Sequence, residues 1–179
     1  LERLVTYYPR KEYWVDLLSR MQRKPNFSDR LSLDAYRLSL ATGSMTAAAD
    51  FMEMAQLALQ AGLPDEARQV VEKGFASNAL GQGAEGERHK RLRDLVNKKL
   101  AEAKQPQVDA EKQAASDKDG SALVNLGFNQ VYAGQVAKGL AMMQQGIAKG
   151  GLKRPDDAKL HLAIAQLTET LTVTAEAAV

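Results

Sequence analysis

Apolar residues recur along this chain at intervals of three and four, in stretches of helical length separated by glycine and proline. The pattern predicts a helix over 10–24, with Trp14, Leu17, Leu18 and Met21 on one face and Pro25 ending it. Ser28 suits the N-cap of a second helix, which carries Leu31, Ala35, Leu38 and Leu40 and stops near Gly43. Ser44 is expected to cap a third helix that reaches Ala61. Gly62 and Pro64 form the next turn, with Pro64 at a helix start, where its missing N–H costs least. A fourth helix then runs to Ala76, and 77–86 reads as a loop. A charged helix over 87–105, a weaker alanine-rich stretch to Lys118 and helices over 121–133 and 136–149 follow. A last helix opens at Asp156 or Asp157, whose carboxylates suit the positive end of a helix. The connections are short, so successive helices are expected to pack antiparallel.

Two of these hairpins repeat one another. The block FMEMAQLALQAGLPDEARQVVEKG from Phe51 aligns without gaps on LVNLGFNQVYAGQVAKGLAMMQQG from Leu123. In both, a small residue (Ala55, Gly127) lies seven positions before a turn glycine (Gly62, Gly134). A second small residue (Ala67, Gly139) comes five after the turn, and a third (Gly74, Gly146) seven beyond that. Small residues on the facing sides of two antiparallel helices let the backbones approach, while the glycine closes the turn.

These residues resemble the tetratricopeptide repeat, W-x2-L-G-x2-Y followed by A-x3-F and P. LGFNQVYAGQ resembles the end of its first helix and the turn. Ala67 with Val71, and Gly139 with Met143, resemble the small-and-large pair of its second helix. Trp14 and Leu17 resemble the opening of a further repeat, although Leu18 and Met21 replace its small residue and tyrosine. Equivalent positions fall at Trp14, Phe51, Leu123 and Lys159, at intervals of 37, 72 and 36 residues. The double interval places a degenerate repeat near Glu87. The resemblance implies an all-α fold: an α-solenoid of antiparallel hairpins in a right-handed superhelix of about eight to ten helices. Its units are the end of a truncated preceding repeat over 1–9, repeats over 10–43 and 44–80, a degenerate one over 86–119, a repeat over 120–153 and a partial one over 155–179. The chain opens on Leu1, and Leu1, Leu4 and Val5 already lie at helical spacing, as expected of a start inside a helix. At the other end, threonines 168, 170, 172 and 174 alternate as in a strand, and Thr170 stands where the turn glycine should be. The wording of YYPRKEYW, ADFMEMAQLALQAG and AKGGLKRPDDAKLHL is similar to a group of proteobacterial tetratricopeptide proteins of unassigned function. Such proteins often carry export signals, which implies the periplasm; the cytoplasm is the alternative.

Composition narrows the chemistry further. Of 179 residues 45% are hydrophobic, 26% charged and 6% aromatic, a balance that favours soluble helices. The net charge of +2 argues for neither nucleic acid nor membrane, and no apolar run approaches the roughly 18 residues needed to span a bilayer. With no cysteine, thiolate catalysis and Cys-ligated metals are excluded. GQGAEG, Gly81 to Gly86, has the letters G-x-G-x-x-G, but a helix precedes it where a nucleotide fold needs a strand, so it reads as an inter-repeat loop. His89 and His161 have no ligand-spaced companions and read as surface or helix-packing residues. Asp156 and Asp157 read as helix-capping groups rather than a catalytic pair. From Glu87 to Lys104, seven Lys/Arg face three acids. This reads as a solvated face, with acidic proteins or nucleic acid as alternative partners.

No catalytic residue, cofactor or metal is expected. The resemblance implies a protein or peptide partner held in a concave groove lined by first helices. It places Met52, Gln56, Leu59 and Gln60 there from one repeat, and Val124, Phe128, Val131 and Tyr132 from another. Packing between repeats is the competing role for these residues. A structural or self-assembling segment of a larger exported protein is the alternative function. The Lys/Asn set that clamps a C-terminal carboxylate is missing, since Val124 and Phe128 occupy two of its places.

Overall fold

The structure, a computed structural model, describes residues 2–8, 10–103 and 107–176. Among them all regular structure is helical: α1 (Glu2–Tyr7), α2 (Lys11–Gln22), a 3-10 turn (Asp29–Leu31), α3 (Ser32–Ala41), α4 (Ala48–Gln60), α5 (Pro64–Ala76), α6 (Gly86–Ala103), α7 (Gln107–Ser116), α8 (Ser121–Tyr132), α9 (Val136–Lys149) and α10 (Pro155–Glu176). No described helix is long and apolar enough to cross a membrane. The boundary prolines Pro9 and Pro106, Lys104 of the basic run, and 177–179 lie outside the described residues.

The two aligned blocks form the hairpins α4–α5 and α8–α9, and both turns close with one hydrogen-bond scheme. Gly62 N donates to Leu59 O (3.1 Å) and Leu63 N to Ala58 O (2.9 Å). Gly134 N and Gln135 N repeat this with Val131 O (3.1 Å) and Gln130 O (2.9 Å). This pair satisfies the last carbonyls of a helix only when the residue between turns left-handed, which glycine does without a Cβ penalty. Gly62 and Gly134 accordingly sit at φ +74° and +87°.

Within α8–α9 the small residues bring backbone onto backbone. A Cβ on Gly127 would lie 2.6 Å from the Gly139 carbonyl oxygen, and one on Gly139 would collide with the Gly127 oxygen in return. A Cβ on Gly146 would stand 2.6 Å from the Gly120 oxygen. In α4–α5 the equivalent alanines Ala55 and Ala67, with Ala58, are fully buried, while Gly74 meets the side chains of Leu80 and Phe51. One hydrophobic core runs from Met45 and Phe51 through Val70, Val71, Leu80 and Val96 to Phe128, Met143 and Ala165.

Several boundaries and packings differ from expectation. Helix α4 starts at Ala48, not Ser44, because the Ser44 hydroxyl donates back to Ser39 O (3.1 Å) and so closes α3 instead. Ser28 stands at the N-cap of the 3-10 turn and makes no side-chain capping bond. The alternating threonines do not form a strand: the α10 backbone stays helical through Glu176 with no turn at Thr170, so the last hairpin does not complete within the described residues. Among the described residues α6 and α7 make no contact with each other, so the expected hairpin over 86–119 does not close there. A linear array in which each repeat meets only its neighbours also leaves two contacts unexplained. Helix α10 packs on α3, and α8 packs on α5, so helices far apart in the chain meet.

The close approach of α8 and α9 reverses the usual sign of a helical glycine substitution. Helix propensity alone makes Gly→Ala stabilising by about 1 kcal/mol. At Gly127 and Gly139 the added methyl has opposing backbone in its place, and overpacking costs about 1–3 kcal/mol. Urea denaturation of Gly127→Ala and Gly139→Ala should therefore show net loss of stability; a gain in both would mean the helices are not in backbone contact.

Candidate functional site

The strongest concentration of charge in the interior lies where α3, α5, α8 and α10 converge. On α3 the stripe Leu31, Asp34, Ala35, Leu38 follows the i, i+3, i+4, i+7 spacing of a buried helix face, so Asp34 is carried inward, with Arg37 one turn on. On α10, Ala158, His161, Leu162 and Ala165 have the same spacing and carry His161 inward. Glu66 lies in the first turn of α5, against Ala67. The side chains of Arg37, Asp34 and Glu66 are 3%, 7% and 0% exposed, so none can be hydrated in compensation.

Each charge is answered by another. Arg37 donates from Nε and Nη2 to the two carboxylate oxygens of Glu66, both at 2.6 Å, and from Nη1 to Asp34 Oδ1, also at 2.6 Å. The planar fork of a guanidinium allows this two-carboxylate clamp, which an ammonium cannot reproduce. His161 Nε2 stands 3.3 Å from Asp34 Oδ1 and joins α10 to the cluster. The Phe128 ring lies under the Arg37 guanidinium, 4.4 Å from Cζ to centroid, and stacks on His161 at 5.1 Å. Tyr132 meets Phe128 edge-on at 5.2 Å, and its carbonyl accepts from Gln69 Nε2 of α5 at 2.6 Å.

The protonation of the cluster follows from these contacts. Burial works against the Asp34 carboxylate, but the bonds and charges of His161 and Arg37 outweigh it and hold its pKa below the ordinary 3.8. Burial likewise opposes the Arg37 cation, and the Glu66 clamp overcomes it, so the arginine is held charged. The arrangement is an internal clamp of paired charges. Among the described residues no group of three or more His, Asp or Glu is placed to hold a metal ion.

The structure separates the eight groove candidates. Val124, Phe128, Val131 and Tyr132 are buried, at 2–6% exposure, and belong to the core and the clamp rather than to an open groove. Of the twelve residues of α8 only Asn125 is exposed, so the helix is largely covered by its neighbours. Met52 is buried with its edge on a cleft, Gln56 and Leu59 are half-buried, and only Gln60 is exposed. Met52 and Gln56 line an open cleft of about 510 Å³ between α4 and the 77–85 loop with the start of α6. Ala48 and Ala49 extend its α4 wall; Ala79, Gln82, Arg88 and His89 form the other. Val124 borders a different cleft, of about 430 Å³, beside the start of α10, with Asn125, Lys153 and His161. The two sets therefore do not share one groove.

The remaining candidates resolve locally. His89 is buried, and its Nδ1 accepts the Gly81 N–H at 3.0 Å, which anchors the GQGAEG loop on α6. The basic face of α6 is largely paired. Arg88 meets Glu85, Lys90 meets Glu87 and Lys99 meets Glu102, while Arg93 grips both oxygens of Glu72 and lies over Phe75. Asp156 pairs with Lys159 and Asp157 with Arg30 of the 3-10 turn, a second tie between α10 and the α3 region.

No family model matches the chain, and neither a curated protein nor a solved structure matches it.

Removing one partner of the clamp strands the others without water. Arg37→Met leaves two buried carboxylates facing each other and should cost about 3–5 kcal/mol in denaturation. The triple change Arg37→Met, Glu66→Leu, Asp34→Leu should recover most of that loss, because it removes the charges together. Equal loss in both would mean that arginine packing, not charge pairing, carries the site.

Acid should act through Asp34. Its folded-state pKa lies below the unfolded value, so the folded chain binds fewer protons. The stabilisation is complete above the unfolded pKa and is lost as pH falls through the folded one. Asp34→Asn should therefore lower stability at neutral pH and flatten the acid limb of a stability–pH curve; a parallel limb in both proteins would contradict this.

Proposed function

We propose that the chain is a non-catalytic protein-binding scaffold, a helical repeat array of tetratricopeptide type whose cleft between α4 and the 77–85 loop receives a peptide or helix of a partner. The observation that carries this reading is the cleft itself. It lies open between one hairpin and the next, is about 510 Å³ in volume, and is walled by Ala48, Ala49, Met52 and Gln56 on a rigid helix. Small residues on one wall leave room for a partner's backbone, methionine supplies an adaptable apolar contact, and Gln56 and Gln82 offer both donor and acceptor. The titratable cluster that a catalytic reading would need is buried and bonded to itself, which favours a structural use of those charges.

The repeat assignment rests on the α4–α5 and α8–α9 hairpins, which share turn chemistry and small-residue register. Relative to the groove read from the resemblance, the proposed surface keeps Met52 and Gln56 and gives up the α8 set. A periplasmic setting follows from the resemblance of the sequence alone.

Photo-crosslinking tests the proposal. A benzophenone side chain in place of Gln56 should yield a discrete protein adduct in bacterial cells, while one in place of exposed Lys73 on α5 should not. Adding Ala49→Arg, which fills the cleft, should abolish the adduct. The same adducts from both positions, or an adduct indifferent to Ala49→Arg, would overturn the groove.

A further inference from the structure

A second cleft lies at the seam where the N-terminal helices meet α10, away from the groove proposed above. Its volume is about 430 Å³, within the range of small-ligand pockets. Met21 of α2, Phe27 of the following loop, Leu31, Leu38 of α3 and Leu160 of α10 contribute its walls, and all five are half-buried, with apolar surface turned to the cavity. Three charged residues also line it: Lys24, Arg30 and Asp34. Two of these are already engaged, since Arg30 pairs with Asp157, and Asp34 holds Arg37 and His161. Lys24, exposed at the rim just past the end of α2, forms no ion pair among the described residues and faces the cavity as an available cation.

An apolar chamber with one available positive charge at its mouth complements a molecule with an apolar body and one negative head. We propose that this cleft binds an amphipathic anion, a hydrocarbon-tailed carboxylate. Its chain lies on Met21, Phe27, Leu31, Leu38 and Leu160, and its head group pairs with Lys24. The occupant would touch α2, α3 and α10 together, so binding would fasten the seam that the buried clamp holds from the other side of Asp34. Tail burial supplies most of the affinity, and the exposed head-group pair supplies selectivity.

The probes are decanoate and its neutral counterpart decanol, titrated by calorimetry and followed by methyl NMR of Met21, Leu31, Leu38 and Leu160. One decanoate per chain should bind below its own aggregation threshold and shift those methyls. Lys24→Gln should weaken decanoate about three- to five-fold and leave decanol unchanged, the size expected of an exposed ion pair. Leu38→Trp, which fills the chamber, should abolish binding with circular dichroism unchanged. Met21→Glu, which sets a negative charge among the tail contacts, serves the same purpose should the tryptophan variant fail to fold. Absence of saturable decanoate binding, or binding that survives a folded cleft-filling variant, would overturn the site. Equal effects of Lys24→Gln on decanoate and decanol would overturn the head-group assignment. Phosphatidylglycerol vesicles separate a membrane source from a free ligand: recruitment that survives Leu38→Trp would mean surface adsorption and would overturn the cleft proposal.

Discussion

Arg37 is the residue around which the described helices are arranged. It has almost no access to water, so its charge is tolerable only because Glu66 takes two of its donors, Asp34 a third, and Phe128 its face. Those partners come from α3, α5 and α8, and through Asp34 the cluster reaches His161 of α10. Breaking any link leaves a charge in a medium that cannot solvate it, which costs more than making the link gains. The cluster therefore acts less as a source of net stability than as a constraint on arrangement: alternative packings of these apolar helices would strand an ion.

That constraint explains why a chain assembled from local hairpins has contacts between helices far apart in sequence. The α4–α5 and α8–α9 hairpins are held by interactions between residues close in sequence: glycine turns, small-residue contacts and the Schellman bonds. Such units would stack as a linear array with no further instruction. The clamp, together with the Arg30–Asp157 pair, adds the instruction that α10 returns to α3. The clefts follow from this layout, one between α4 and the loop before α6, the other at the α2–α3–α10 seam. One is open between hairpins and suits a peptide; the other is an apolar chamber with a cation at its mouth.

What was legible in the sequence and what was not divide along the same line. The α5 and α9 boundaries, the turn glycines and the facing small residues were readable because propensity, capping and close approach act over a few residues. The clamp was not read, although a partial signal existed: Asp34 and His161 each interrupt an otherwise apolar stripe, and a charge on such a stripe requires a partner. Periodicity does not name a partner on another helix: Arg37 and the Glu66 that clamps it are 29 positions apart. The resemblance places the α8 residues in a groove, whereas Val124, Phe128, Val131 and Tyr132 are buried against neighbouring helices. The threonine alternation at the end of the chain was outweighed by helical continuation of α10.

The claim that the clamp joins distant helices into one cooperative unit is tested most directly by native-state hydrogen exchange. Amides of α3, α5, α8 and α10 should open together, with one shared free energy, and should fall together in a protein carrying Arg37→Met while α1 is unchanged. Independent exchange of α10 and α3 in the wild-type protein would contradict the claim, because the two helices would then be held by separate interactions.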